Sequence, residues 1–404
     1  MAAEGKRGAR SPTTASPGSS LSLAFLWPGS VTAAPLLPHA SGRLAFDVTI
    51  SLTTPEHRPD DAADAEILRH WDSLDVLVTR GPVVESRHRV HAAVVAADGT
   101  VIYAYRNPQL VTWWRSCAKP FQVLPFVRDG GLDQLGWGDA ELALACASHG
   151  GEPEHVAIAS HMLSRIGLEE GDLACGAHEP LTARGARLAL ESGRPLSRLH
   201  NNCSGKHAGM LARAVVSSWP TAGYQHSAHL VQQGALAAVA EWSQMRTDDI
   251  PLAVDGCGVT VFALPLARMA LAYARFATAA ANGEPGPARI VRAMTDHPFL
   301  IAGTDRFDTL LMDACAGRVL CKIGAEGVHT LALVDQGIGI AVKVEDGTPR
   351  AQFLPVLALL ARLGALPDPL PASLREHASR LVRNTRGAVV GDVRLGDGSV
   401  GSRA

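Results

Sequence analysis

Of the 37 basic residues in this sequence, 32 are arginine, and only Lys6, Lys119, Lys206, Lys322 and Lys343 are lysine. A guanidinium stays protonated in a protein, whereas a buried amine is driven neutral and then acts as a base or a ligand. Each lysine is therefore a candidate for chemistry. Lys119 follows Ser116 by three residues in Arg115-Ser116-Cys117-Ala118-Lys119-Pro120, so a helix there places hydroxyl and amine on one face. A serine hydroxyl attacks poorly until a base removes its proton, and a neutral lysine does this in the Ser-x-x-Lys pattern of serine acyl-enzymes. Lys322 stands where a strand enters a glycine-rich turn, Cys321-Lys322-Ile323-Gly324-Ala325-Glu326-Gly327. Gly324 and Gly327 would let a substrate approach the backbone there. The plainer reading of Lys322 is an edge-strand charge that discourages aggregation. Lys6 lies in the N-terminal tail and Lys343 sits on a strand beside Glu345, so both are read as solvent-exposed.

Lys206 belongs to Asn201-Asn202-Cys203-Ser204-Gly205-Lys206-His207, a polar loop entering a helix N-terminus, which can present N–H groups to a carboxylate. Ser148-His149-Gly150-Gly151 ends an apolar helix and reads either as a second serine site or as a helix stop. Asp255-Gly256-Cys257-Gly258 brings a carboxylate and a thiol two residues apart. Cys203 and Cys257 together suit a soft or borderline metal, with His207, His200 or a deprotonated lysine completing the set. The absence of any Cys-x-x-Cys pair weighs against zinc.

The elements that must position these residues follow from periodicity. Strands are expected at 74–79, at 88–95 and 101–105 around Asp98-Gly99-Thr100, and at 319–323, 328–334 and 338–344, the last two joined across Asp335-Gln336-Gly337. Helices are expected at 113–127, 139–147, 154–166, 205–218, 229–245, 266–281, 288–294, 306–315 and 353–363. Gly303-Thr304-Asp305 reads as the N-cap of the helix at 306–315. The implied fold is α+β, an antiparallel sheet assembled from both ends of the domain with a helical region inserted. Residues 1–70, rich in Ala, Ser, Thr, Pro and Gly, are expected to be a disordered extension, 71–375 the domain, and 376–404 a weakly ordered tail.

Composition bounds the function. A charge of 37 − 39 = −2 gives no basic excess for nucleic acid. No apolar run reaches the ~20 residues of a membrane span. Seven cysteines, odd in number and irregularly spaced, point to a reducing, cytoplasmic compartment.

Taken in order, the five segments around Ser116, Ser148, Cys203, Asp255 and Lys322 resemble the Rhizobium etli-type L-asparaginase II family, over about residues 74–363. The resemblance implies hydrolysis of L-asparagine to L-aspartate and ammonia, on a fold similar to serine β-lactamases and serine-dependent glutaminases. It implies Ser116 with Lys119 as one catalytic tandem and Ser148 with Lys322 as a second, with Ser148 favoured as the nucleophile. It further implies a zinc ion held by Cys203, Lys206 and Cys257. Arg115, His149, Asn201, Asp255 and Gly256 are expected at the substrate, Asp255 and Arg115 pairing with its α-ammonium and α-carboxylate. A homodimer acting on a small molecule is expected. The rivals are another serine amidohydrolase, β-lactamase-like or glutaminase-like, and a non-catalytic zinc-stabilised binding protein. The first is weakened by the lack of Lys-Thr-Gly and Ser-Asp-Asn motifs.

Overall fold

The computed structural model describes Leu68 and residues 71–378 and 380–397. Apart from Leu68, the expected extension and Lys6 lie outside the described residues. The strands are β1 (Val76–Arg80), β2 (Val83–His88), β3 (Val90–Ala96), β4 (Val101–Tyr105), β5 (Val111–Trp113), β6 (Leu252–Val254), β7 (Thr260–Pro265), β8 (Val319–Ile323), β9 (Val328–Leu333), β10 (Ile338–Val344), β11 (Arg380–Arg383) and β12 (Val389–Leu395). The helices are α1 (Lys119–Arg128), α2 (Gly131–Leu135), α3 (Asp139–Cys146), α4 (Pro153–Arg165), α5 (Ala183–Glu191), α6 (Ser204–Val216), α7 (Leu230–Ser243), α8 (Leu266–Ala281), α9 (Pro285–Asp296), α10 (Pro298–Ile301), α11 (Phe307–Cys315), α12 (Phe353–Arg362) and α13 (Ala372–Ala378).

The central sheet runs β4-β3-β10-β9-β8, every neighbour antiparallel. Its middle pair joins the two ends of the domain, with Val94 opposite Ile340 and Ala92 opposite Val342. Such a sheet with inserted helices is the α+β architecture the strand order predicts. The inner strands are apolar on both faces, and β9 is buried throughout, because helices cover them, whereas the edge strand β4 is largely exposed. α8 lies against β10, β3 and β9. Its approach is close enough that a Cβ on Gly339 would stand 1.9 Å from the Ala270 carbonyl oxygen.

Two expectations fail. The helix expected from Trp113 starts at Lys119, because Val111–Trp113 pairs with β7, Trp113 opposite Ala263. Tertiary pairing overrides a local helical pattern there, and a 3-10 turn, Arg115–Ala118, bridges strand and helix. The tail is also not weakly ordered through 397. β12 pairs with β1, Val393 opposite Val78 and Leu395 opposite Val76, and β11 pairs with β12. Its order comes from a partner more than 300 residues away, which local composition does not report.

Gly339→Val should lower stability by about 1–3 kcal/mol, the usual range for overpacking. Gly176→Ala, whose added methyl meets nothing within 4 Å, should leave the urea midpoint unchanged.

Candidate active site

Three elements converge on one hydroxyl. Lys119 opens α1, where Pro120 supplies the fixed φ that suits a first helical turn. Ser148 follows α3, its N–H donating to the Ile301 carbonyl at 2.9 Å. Lys322 is the penultimate residue of β8. Lys119 Nζ and Lys322 Nζ each lie 2.9 Å from Ser148 Oγ. Lys119 also donates to the Ala147 carbonyl, and Lys322 to the Ile323 carbonyl at 2.9 Å. All three side chains are at most 3% exposed.

Burial disfavours an ammonium, and the two amines repel each other's charge. Burial first, then Lys119, pushes Lys322 down to about 8. Lys119 is lowered by burial against the opposing pull of Cys203. One amine next to Ser148 is thus readily neutral near physiological pH, and a neutral amine accepts the serine proton.

The expected pairing of Ser116 with Lys119 is not made by a hydrogen bond. Lys119 points to Ser148, and the half-buried Ser116 hydroxyl has no hydrogen-bond partner among the described residues. The backbone just before it is unusual: Arg115 has φ +52°, a left-handed conformation that costs about 1–3 kcal/mol for a non-glycine residue and is held by its surroundings. Part of that hold is the Arg115 Nε to Asp255 Oδ1 bond at 2.7 Å. Asp255 Oδ1 also accepts the Gly256 N–H at 2.8 Å. Burial alone would raise the Asp255 carboxyl, but Lys206 and Arg115 together hold it below its ordinary value.

His149 and Asn201 are committed to the scaffold. His149 Nδ1 accepts the Gly151 N–H, so Nε2 carries the proton and faces Ser204 Oγ at 2.9 Å. Burial keeps this ring neutral, well below its ordinary pKa. Asn201 Oδ1 accepts the Cys203 N–H, and its Nδ2 donates to the Gly176 carbonyl. These bonds shape the turn that starts α6. Gly205 lets α6 press onto α3: a Cβ there would stand 2.4 Å from the Leu144 carbonyl oxygen.

Cys203, Lys206 and Cys257 form a buried cluster in which Lys206 Nζ lies 3.0 Å from Cys257 Sγ. A hydrogen bond from the Cys203 thiol, opposed by burial and supported by Lys206, holds Cys257 down to about 4. Burial works against the Lys206 charge, but the Cys257 thiolate outweighs it and raises that amine. Two sulfurs and a nitrogen gathered around one negative charge fit a borderline cation such as Zn2+, provided the thiol and ammonium protons leave. A second set, Asp308, Cys321 and His329, has its ligand atoms within 4.8 Å of one another. There His329 Nε2 already sits 2.9 Å from Asp308 Oδ1, and burial holds the Cys321 thiol well above its usual pKa. That set is a carboxylate facing an imidazole beside a neutral thiol.

Several residues escaped sequence reasoning. Arg306 Nη1 donates to the Ser148 carbonyl at 2.6 Å. Thr304, expected to cap α11, instead gives its N–H and hydroxyl to the buried Glu152 carboxylate, and the N-cap position falls on Arg306. Lys343 is buried, not solvent-exposed, and ties down the Glu326 carbonyl at 2.7 Å beside the turn that follows Lys322. None of these had a local signal, because each partner is distant in sequence. A 500 Å³ cleft near Trp242 and Arg275 contains none of the residues named above.

The family model described as L-asparaginase II matches residues 76–395. No curated protein matches the chain. A β-lactamase from Mycobacterium bovis is 12% identical, covered over 75% of this chain and 100% of its own, at a TM-score of 0.30, a likeness too distant to carry an argument. No helix among the described residues is long and apolar enough to cross a membrane.

Titrating the protein with Zn2+ at pH 7 should release protons, and Cys257→Ser should abolish both binding and proton release in calorimetry run in two buffers. Unchanged binding by that variant would place the metal elsewhere.

Proposed function

We propose that the chain, which belongs to the L-asparaginase II family, hydrolyses L-asparagine to L-aspartate and ammonia through a lysine-activated serine. The observation that carries this reading is the Ser148 hydroxyl held between two buried amines, 2.9 Å from each.

In the reaction, a neutral lysine takes the Ser148 proton as the oxygen bonds to the side-chain amide carbon. The resulting ammonium returns a proton to the departing nitrogen, the C–N bond breaks, and ammonia leaves an acyl-enzyme. Water, deprotonated by the same amine, then attacks the ester carbonyl, and the amine returns that proton to Ser148 Oγ as the C–O bond breaks and aspartate is freed. Arg115, the residue before Ser116, and its partner Asp255 offer opposite charges to the substrate's α-carboxylate and α-ammonium. Cys203, Lys206 and Cys257 would hold a zinc ion, whose charge would help orient the substrate. The seven cysteines are all buried and free, in keeping with a reducing, cytoplasmic setting. A homodimer remains part of this reading.

A second assignment uses the same residues. Ser116 is the more accessible hydroxyl and follows the left-handed Arg115, so it would attack while Ser148 passes its proton to the lysines. Quenching turnover in acid and mapping the acylated peptide distinguishes the two: the ester sits on Ser148 in the first and on Ser116 in the second.

Ammonia release from L-asparagine should exceed that from L-glutamine and a β-lactam, and Ser148→Ala, which removes the nucleophile, should lower kcat by about 10³-fold or more. No release from any of the three substrates by the zinc-loaded protein would favour a binding protein. Because Lys322 must be neutral to accept a proton and is poised near 8, kcat/KM should rise with pH through about 8. A flat profile between pH 6 and 9 would remove that lysine from the role.

A further inference from the structure

Behind Lys322 lies a buried carboxylate and imidazole that the proposed chemistry does not use. Asp308, in the first turn of α11, is 1% exposed, and His329 on β9 is 0% exposed. Asp308 Oδ1 faces His329 Nε2 at 2.9 Å, and Asp308 Oδ2 accepts the Ile323 N–H at 2.7 Å. His329 and Ile323 are themselves cross-strand neighbours. The carboxylate therefore joins the last two strands of the sheet at the residue that follows Lys322.

That location has a physical consequence. β8 is the edge of the central sheet, and an edge strand has backbone N–H groups with no strand partner. Asp308 satisfies one of them at Ile323, whose carbonyl in turn accepts Lys322 Nζ at 2.9 Å. Fixing Ile323 fixes the acceptor that steers the amine onto Ser148. A buried carboxylate is a poor source of stability, since desolvation consumes most of what its contacts contribute and apolar packing often serves as well. Its place beside an active amine needs another reason.

We propose that the Asp308–His329 pair is a positioning device that pins the end of β8, so that the Lys322 amine stays on the Ser148 hydroxyl. This rests on the assignment of Lys322 to the reaction. The groups that face Lys322 are Lys119 from α1, Cys117 from the 3-10 turn, Cys146 from α3, Arg306, Asp308 from α11, and Cys321 on its own strand. Asp308 is the one carboxylate among them. Burial alone would raise its carboxyl, yet His329 overrides this and holds it ionised, at about 2.

The test compares full-length wild type with Asp308→Ala, Asp308→Asn and His329→Gln, each checked by circular dichroism and thermal melting. Asp308→Ala should lose about 10- to 100-fold in kcat with KM for L-asparagine changed less than threefold, the scale of a misplaced catalytic group. Asp308→Asn keeps an oxygen for the Ile323 N–H and should recover much of kcat, but its acid limb should move to lower pH because the negative charge is gone. Hydrogen exchange should show the Ile323 amide losing protection in Asp308→Ala and keeping it in Asp308→Asn. The exchange readout does not depend on turnover, so wild type inactive on asparagine but with this exchange pattern would fail the asparaginase reading and leave the pin intact. A folded Asp308→Ala with unchanged kcat, limb and exchange would overturn the proposal. So would a metal ion that is retained by Cys257→Ser and lost from His329→Gln, because the three side chains would then be ligands.

Discussion

Two ammonium groups that each lie 2.9 Å from the same buried oxygen weaken each other's charge. Their repulsion acts through a medium of low effective dielectric, and neither charge is hydrated. One amine must be easily neutral, and the rest of the site is arranged so that this frustration persists. α1, α3 and β8 come from three separate parts of the chain, and each fixes one member of the trio. Were Ser148 free to swing into solvent, or either lysine free to reach water, both amines would be ordinary cations.

The thiol cluster belongs to the same electrostatic unit. Cys203 acts electrostatically on both Lys119 and Cys257, and Cys257 in turn carries the negative charge that Lys206 faces. Lys119 thus touches the serine and feels the charge of the sulfurs. A cation replacing the proton on Lys206 would alter the field at Ser148 without contacting it. Gly205, which lets α6 sit hard against α3, keeps the two halves in register.

Much of this was legible in the chain. The preference for arginine singled out three site lysines among five, and the glycine-rich and polar segments around Ser148, Cys203, Asp255 and Lys322 carried a recognisable order of motifs. The central sheet followed from strands at both ends of the domain, because apolar runs of strand length bracket a helical middle. Local pattern failed where long-range pairing decided the outcome. Val111–Trp113 became a strand by pairing with β7, and residues past 375 became β12 by pairing with β1 and β11 by pairing with β12. Lys343 read as exposed because it stands beside Glu345, whereas β10 lies at the centre of the sheet.

The sequence by itself determined the chemical inventory, since residue type decides which groups can lose a proton, attack a carbonyl or bind a soft cation. It also determined which segments had the period and the turn residues to become helices and strands. Only the tertiary structure decided the partnerships: that Lys119 serves Ser148 although Ser116 is its neighbour in sequence, that His149 and Asn201 spend their polar atoms on the scaffold, and that Asp308 and His329 meet behind Lys322. Hydrogen bonds act over about 3 Å, and no spacing along a chain specifies which distant atoms will come that close.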